Sequence, residues 1–423
     1  MDLSTNLKTI RQFVCKNKHD EIIFDNVFNI VVSKPLVSDN TDSIIEKHKF
    51  VNHIKQIAFK LLQKYIEEPD HLLITRWFYT QKLLDHNPDL LLPYNDTPNE
   101  GIRYELTKRN VSLENIINFE NLLHQMIMSY GVVNSENPMK KLKSSKEISV
   151  NNKLDIRIIN NSYIALTYKN FSTKLLLKPY LKLINDYYKF MGLDNNIIIN
   201  KGLSNKNLTS DELLDVIDEI VHVRIFNLMC RYQTLYAPGY HAAIPLEVFD
   251  VLRKYLKVNH EIFASPLNRT LDNYTSVFPD TDIFFGSQGN FFNEYPRLFR
   301  NGGSFEANPP FVEEHMAAFA LIVIDALTKY TAALSFFIIV PAWTDTVLYH
   351  ILTQSKFNVL HGKYIPLERH KHYYRNGSNY LYQDEVYKAN NKSLIFILQN
   401  DSGKVKYPVT SEFITNLHKS FVV

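Results

Sequence analysis

The stretch GGSFEANPPFVEE, residues 302–314, ends an apolar run on an asparagine and two prolines. Asn308 brings an amide oxygen that accepts hydrogen bonds. Pro309 has a carbonyl but no N–H, and the paired prolines restrict the backbone to a rigid extended turn. Acceptors without a competing donor suit an exocyclic amine. Phe311 adds an apolar face for a planar base, a contact worth about 1–3 kcal/mol in readers of single strands. Asn308, Pro309, Pro310 and Phe311 together describe a pocket that holds a purine amine and aims its nitrogen at an activated methyl. In such chemistry positioning and electrostatics carry most of the rate, and no metal is required. Taken alone, the same residues are a helix start with prolines in its first turn.

Three more polar turns follow apolar runs: ASPLN at 264–268, FGSQG at 285–289, and VPAW at 340–343. In a sheet built of βαβ units, turns of this kind line a single crevice at the strand ends. Ala264, Ser265, Pro266, Asn268, Phe285, Gly286 and Ser287 are therefore candidates, with Asn308, for touching the methyl donor. Asp280 and Asp282 in FPDTD are placed to bond a ribose, as an acid near the second strand does in such folds. The plain alternatives are an ordinary glycine turn, a helix start and solvated turn carboxylates.

The elements that must hold these residues change character along the chain. Its 423 residues, 45% apolar and 13% aromatic, are enough for two or three domains with real cores. The expected division is a mainly helical domain with some β structure over 1–239 and an α/β domain over 240–423, the part that carries the methyl-transfer candidates. In the first, residues 21–37 suggest strands, and Ser43 with Glu46 has capping-box spacing before a helical pattern through Tyr65. MKKLKSSKE at 139–147 reads as a loop or seam, DIRIINNSYIALTY as β structure, and Thr209 with Glu212 as a second capping box. From about residue 240, strands at EIFA, DIFFG, SFEA, LSFFIIV and SLIFIL alternate with helices. This predicts an α/β fold with a mostly parallel sheet.

A formal charge of +3 confines any nucleic-acid contact to local basic patches. Cys15 and Cys230 lack both a disulfide framework and metal spacing, so neither zinc nor an oxidising compartment is expected. No apolar run reaches the roughly 20 residues of a membrane helix, and the expectation is a soluble, intracellular protein.

In order and spacing, FASPLN, FPDTD, FGSQG, GSFEANPPF, the PAW turn, ERHKHYYRNGS and LIFILQND resemble the catalytic module of the phosphorylated CTD-interacting factor family, cap-specific adenosine N6-methyltransferases. The likeness is close over 240–403 and faint before it. It implies a class I, Rossmann-like fold that uses S-adenosylmethionine. The implied substrate is capped RNA, methylated at N6 of the first transcribed (2′-O-methyl)adenosine beside a 7-methylguanosine cap, with the helical domain helping to form the cap pocket. By position, Asn308 to Phe311 match the adenine motif and Glu313 matches the acid on the cap guanine. A cationic ring also favours an aromatic face, which Trp343 could supply. The triphosphate needs cations, and Arg369, Lys371 and Arg375 in RHKHYYR, with Arg76 beside Trp77 in the helical part, are candidates. A buried Trp343 and a solvated basic loop are the alternatives. The same pocket chemistry would serve a DNA or internal-RNA adenine methyltransferase or, without transfer, a cap-binding module. Relatives of this kind begin with a WW domain. Trp77 and Trp343 are far apart, so no WW domain, and no contact with the phosphorylated polymerase tail, is expected.

Overall fold

The computed structural model describes residues 40–84, 89, 91–94, 96, 98–135, 154–192, 217–235, 241–382 and 386–422. The expected strands at 21–37, the basic run at 139–147 and the capping pair Thr209 and Glu212 lie outside the described residues.

Helix α1 (Thr41–Leu62) starts earlier than the Ser43–Glu46 pairing predicts. Its cap is Asn40, whose side chain accepts from the Ser43 N–H at 2.8 Å, and asparagine is among the strongest N-cap residues. Helices α2 (His71–Leu84), α3 (Glu100–Lys108) and α4 (Leu113–Ser135) follow, and Asn99 caps α3 by accepting from Ile102 at 3.0 Å. Strands β1 (Asp155–Ile159), β2 (Tyr163–Tyr168) and β3 (Phe171–Leu176) form an antiparallel meander, of which the first two strands fall in the stretch expected to be β structure and the third lies beyond it. Helices α5 (Leu177–Phe190) and α6 (Glu219–Thr234) complete this half. Its apolar core also takes in Leu267, Phe278, Phe285 and Tyr380. Packing is thus continuous across the expected boundary at 239–240.

The second half runs α7 (Leu246–Leu256), β4 (His260–Glu261), β5 (Asn273–Tyr274), α8 (Phe291–Phe299), β6 (Gly303–Ala307), α9 (Glu313–Lys329), β7 (Leu334–Pro341), α10 (Val347–Gln354), β8 (Ile365–Leu367), β9 (Tyr373–Arg375), β10 (Val386–Lys388), β11 (Ser393–Gln399), α11 (Asp401–Lys406) and α12 (Ser411–Ser420). Six strands form a mixed sheet in the order β5-β4-β6-β7-β11-β8. The pairs from β5 to β7 are parallel, while β11 runs against both of its neighbours. Successive β7 residues face opposite layers. Phe336 and Ile338 pack with α8, α9 and α10, and Phe337 and Ile339 pack with α7 and α12.

The expected strand at DIFFG is absent. Pro279–Asp282 is one turn of α-helix and Ile283–Phe285 a 3-10 turn, because Pro279 at the first helical position brings a preset φ. The second strand is the two-residue β5, which lies earlier in a polar stretch.

Candidate functional site

After β4 the chain moves outward to β5, then returns to place β6 on the other side of β4. The connections leaving these two strands diverge, and the carboxyl ends of strands at such a switch point are where open α/β sheets bind ligands. The turn 264–268 follows β4, and Asn308 to Phe311 follow β6.

Asn308 is buried, and its Nδ2 donates to the Ala242 carbonyl at 2.8 Å. That bond fixes which end of the amide is which. Its Oδ1 is buried without a hydrogen-bond partner among the described residues. The ring of Phe311 meets Trp343 edge to face at 6.5 Å and Tyr374 likewise at 6.5 Å, and Trp343 is 37% exposed. Trp343 is therefore available as a surface rather than sealed in a core.

The Ala242 carbonyl belongs to a short strap, His241–Ile244, that crosses both strand ends. Asn268 Nδ2 donates to the carbonyl of His241 at 2.9 Å, while its Oδ1 accepts from the Ser265 N–H at 2.8 Å and from Ser265 Oγ at 2.9 Å. The candidate donor contacts Ser265 and Asn268 thus use their polar side chains on each other and on the strap. Pro266 turns its carbonyl to Lys182 of α5 at 2.9 Å.

Arg375, expected to face phosphate, is committed elsewhere. Its Nε donates to the Ile244 carbonyl at 3.0 Å, and its Nη2 donates to the Asn268 carbonyl at 3.0 Å and Thr270 Oγ1 at 2.6 Å. Close to it lie two acids that sequence reasoning missed, Glu261 and Glu306, paired in register on β4 and β6. Glu261 Oε1 accepts from the Thr270 and Leu271 N–H groups, and burial pushes its carboxyl up to about 7. Glu306 is raised well above the carboxylate range by burial and then by the charge of Glu261, and its Oε1 has no partner among the described residues. A carboxylate inside the apolar runs EIFA and SFEA was the available signal.

The segment after β5 is closed. Asp280 pairs with Arg231 of α6 at 2.7 Å, with both side chains buried. Asp282 accepts from Tyr232 at 2.6 Å and Thr281 at 2.9 Å, and burial raises it to about 7. Ser287 Oγ bonds Ser276 Oγ at 2.6 Å, and Phe285 is buried. Gly286 has φ +94 and lies so close to Phe190 that a Cβ would meet the ring at 2.5 Å. The acids read as ribose ligands are therefore bound to α6 and to their own turn.

On the far side of the motif, α2 docks on the start of α9. Arg76 Nη2 lies 3.5 Å from Glu314 Oε2, and Thr80 Oγ1 donates to the same oxygen at 3.5 Å. Gly101 closes over this pair, since a Cβ there would sit 2.2 Å from Glu314 Oε1. It is Glu314 that meets Arg76, while Glu313 begins the helix and is half-buried. Trp77 is buried, and Arg369 and Lys371 are exposed. Among the described residues no cluster of three His, Cys, Asp or Glu side chains forms a metal site, and no described helix is long and apolar enough to cross a membrane.

A family model described as the phosphorylated CTD interacting factor 1 WW domain matches residues 206–377. This corrects two expectations, that a WW domain is lacking and that the phosphorylated polymerase tail is not a partner. Both rested on the separation of Trp77 and Trp343. A two-tryptophan test inspects one short stretch, whereas the match extends from before α6 to beyond β9. The chain is also 35% identical over 208 residues to the Homo sapiens protein named mRNA (2'-O-methyladenosine-N(6)-)-methyltransferase. It is 35% identical over 208 residues to the Mus musculus protein of the same name. Each match covers 47% of this chain, and 29% of the human and 28% of the mouse protein. The chain thus spans less than a third of these curated relatives.

Proposed function

We propose that this chain transfers a methyl group from S-adenosylmethionine to N6 of the first transcribed (2′-O-methyl)adenosine of an mRNA, next to a 7-methylguanosine cap. The observation that carries this reading is the Asn308 carboxamide at the β4–β6 switch point, with its nitrogen anchored on Ala242 and its buried oxygen unpartnered. The names of the relatives specify N6 methylation of 2′-O-methyladenosine in mRNA, the chemistry such an acceptor serves. In this reading 240–423 is a Rossmann-like, class I methyltransferase domain in which β11 is reversed, and 1–239 is a mainly helical domain that helps to hold the cap.

What supports a nucleoside-bearing donor here is that Asn268 and Asn308 hang from successive strap carbonyls, which holds the two strand-end turns side by side. Ala264 to Asn268 would line the donor from β4 and Asn308 from β6. When bound, the donor supplies an electrophilic methyl carbon on a sulfonium. Asn308 Oδ1 accepts one hydrogen of the adenine amine and the Pro309 carbonyl accepts the other. Two acceptors favour a more pyramidal nitrogen, and they would stabilise the positive charge that this nitrogen gains as it takes the methyl, the C–S bond breaking to leave a neutral thioether and the nitrogen then losing one proton to water. Phe311 stacks the purine. Trp343 offers an aromatic face to the cationic cap guanine, Glu313 and Glu314 offer carboxylates beside it, and Arg76, Arg369 and Lys371 complete the polar rim.

The test is nucleoside mass spectrometry of capped RNA beginning with 2′-O-methyladenosine after incubation with protein and donor. N6-methylated product is expected from capped RNA and little from uncapped RNA or duplex DNA. Equal product from all three would remove the cap from this reading.

A further inference from the structure

We propose that the strap His241–Ile244 aims the Asn308 carboxamide and that Arg375 is a positioning residue acting through it; this rests on the methyl-transfer reading above. The direction of Asn308 Oδ1 is set by the bond from Nδ2 to the Ala242 carbonyl at 2.8 Å. That carbonyl has no freedom of its own. The next residue, Ala243, is bridged to Arg375 in both directions, its N–H donating at 3.2 Å and its carbonyl accepting at 2.7 Å. The guanidinium then reaches past this bridge to Ile244, and to Asn268 and Thr270 in the loop beyond β4.

One residue therefore grips the strap and the donor-side loop together. A second lock is steric. A Cβ at Gly377 would lie 2.5 Å from the His241 carbonyl carbon and 2.6 Å from its Cβ, so the strap lies flush against the glycine backbone. These contacts have a functional consequence because both strand-end loops hang from the strap, Asn268 from His241 and Asn308 from Ala242. A shift of the strap moves the amine acceptor and the donor loop at once, and misplacement of about 1 Å can cost about 100-fold in rate.

Two variants disturb the strap by different physics. Arg375→Lys keeps the charge but loses the planar fork that serves Ile244, Asn268 and Thr270 together. Gly377→Ala leaves Arg375 intact and pushes on His241. Both are expected to lower kcat on capped RNA by about 10-fold to 100-fold. The KM for RNA should move less than about 3-fold, below the tenfold that 1.4 kcal/mol represents, while the affinity for S-adenosylhomocysteine falls with the displaced donor loop. The salt dependence of RNA binding should stay as in the native protein. A rise in the KM for RNA in Arg375→Lys, with native turnover in Gly377→Ala, would instead mark Arg375 as a phosphate contact and overturn the proposal.

Hydrogen exchange gives a readout independent of catalysis. Peptides covering 260–270 and 303–312 should exchange faster together in both variants, while α12 stays protected. Faster exchange confined to 241–245, with both loops unchanged, would overturn the proposal even if the native protein methylates no capped RNA. The latter result would reject the methyl-transfer reading alone. Thr270→Val removes one bond of the fork and serves as a milder variant should Arg375→Lys not fold, with the same pattern expected at smaller amplitude.

Discussion

The segment 279–287 and the turn Asn308 to Phe311 look alike in sequence: each is a proline-containing polar turn beside apolar residues. In the structure their polar groups are committed differently. The first directs its polar side chains inward, with Asp280 on Arg231, Asp282 on Tyr232 and Ser287 on Ser276, although Asp280 Oδ1 is itself buried without a hydrogen-bond partner among the described residues. The second ties half of one amide to Ala242 and leaves the other half buried without a partner. Leaving a buried acceptor unsatisfied costs about 1–3 kcal/mol, a cost that the buried ion pair with Arg231 offsets for Asp280 and that no ion pair offsets for Asn308. The first segment is tied to α6 and to its own turn, and the second is the one proposed to present a group to a ligand.

The sharpest way to break this contrast is at Asn308. Asn308→Ala removes the acceptor and should lower kcat by about 100-fold to 1,000-fold, the range seen when one preorganised hydrogen-bonding group is deleted from a catalytic site. Asn308→Asp keeps an acceptor but cannot donate to Ala242, so it should fall between Asn308→Ala and the native protein. Methyl incorporation at saturating RNA and donor measures both, and thermal unfolding reports whether the fold survives. Near-native turnover by Asn308→Ala would make the unpaired oxygen a packing accident.

The legible parts of the sequence were those where one physical rule acted alone. Strands β6, β7 and β11 and helix α9 follow from apolar runs and helical spacing around residues 303–340 and 393–399, and the two prolines announced the turn between β6 and α9. Strands β4 and β5 have two residues each, too few for any period to show. The reversed direction of β11 was equally hidden, since SLIFIL reads the same in a parallel or antiparallel ladder.

What the candidate site residues touch was hidden where tertiary contacts decide. Residue type marks Arg375 as a cation but cannot say that three backbone and hydroxyl oxygens claim it. Glu313 and Glu314 are neighbours about 100° apart on one helix, and the docking of α2 selects which of them meets Arg76. Counting tryptophans missed a similarity that extends over 206–377.

The contact between α2 and α9 lies between the two extremes, because Glu314 has one oxygen shared with Arg76 and Thr80 and the other buried without a partner among the described residues. If it serves the cap, Arg76→Ala and Glu314→Gln should each raise the KM for capped RNA about tenfold, equivalent to about 1.4 kcal/mol, with little change for uncapped RNA. Gly101→Ala sharpens the point. Alanine ordinarily favours a helix by about 1 kcal/mol, yet here its Cβ would displace the Glu314 carboxylate, 2.2 Å away. It should weaken capped-RNA binding in a filter assay, and equal losses for capped and uncapped RNA would assign the contact to folding.

A last comparison distinguishes scaffold from site by pH. Burial raises Asp282 from 3.8 to about 7. Between those values the folded protein holds a proton on this carboxyl that the unfolded chain has released. The stability it contributes is therefore fully present below about pH 4 and lost as pH rises through about 7, at up to roughly 1.4 kcal/mol per pH unit. The substitution Asp282→Asn keeps an oxygen that accepts from Tyr232 but removes the titration, so this variant should gain on the native protein as pH is raised. Urea unfolding of both proteins at about pH 5 and pH 8 measures the change, and the titration of Glu261, common to both, cancels in the difference. A difference that stays constant across that range would mean that Asp282 is charged in the folded protein, and the closed segment would then have to be counted with the open one.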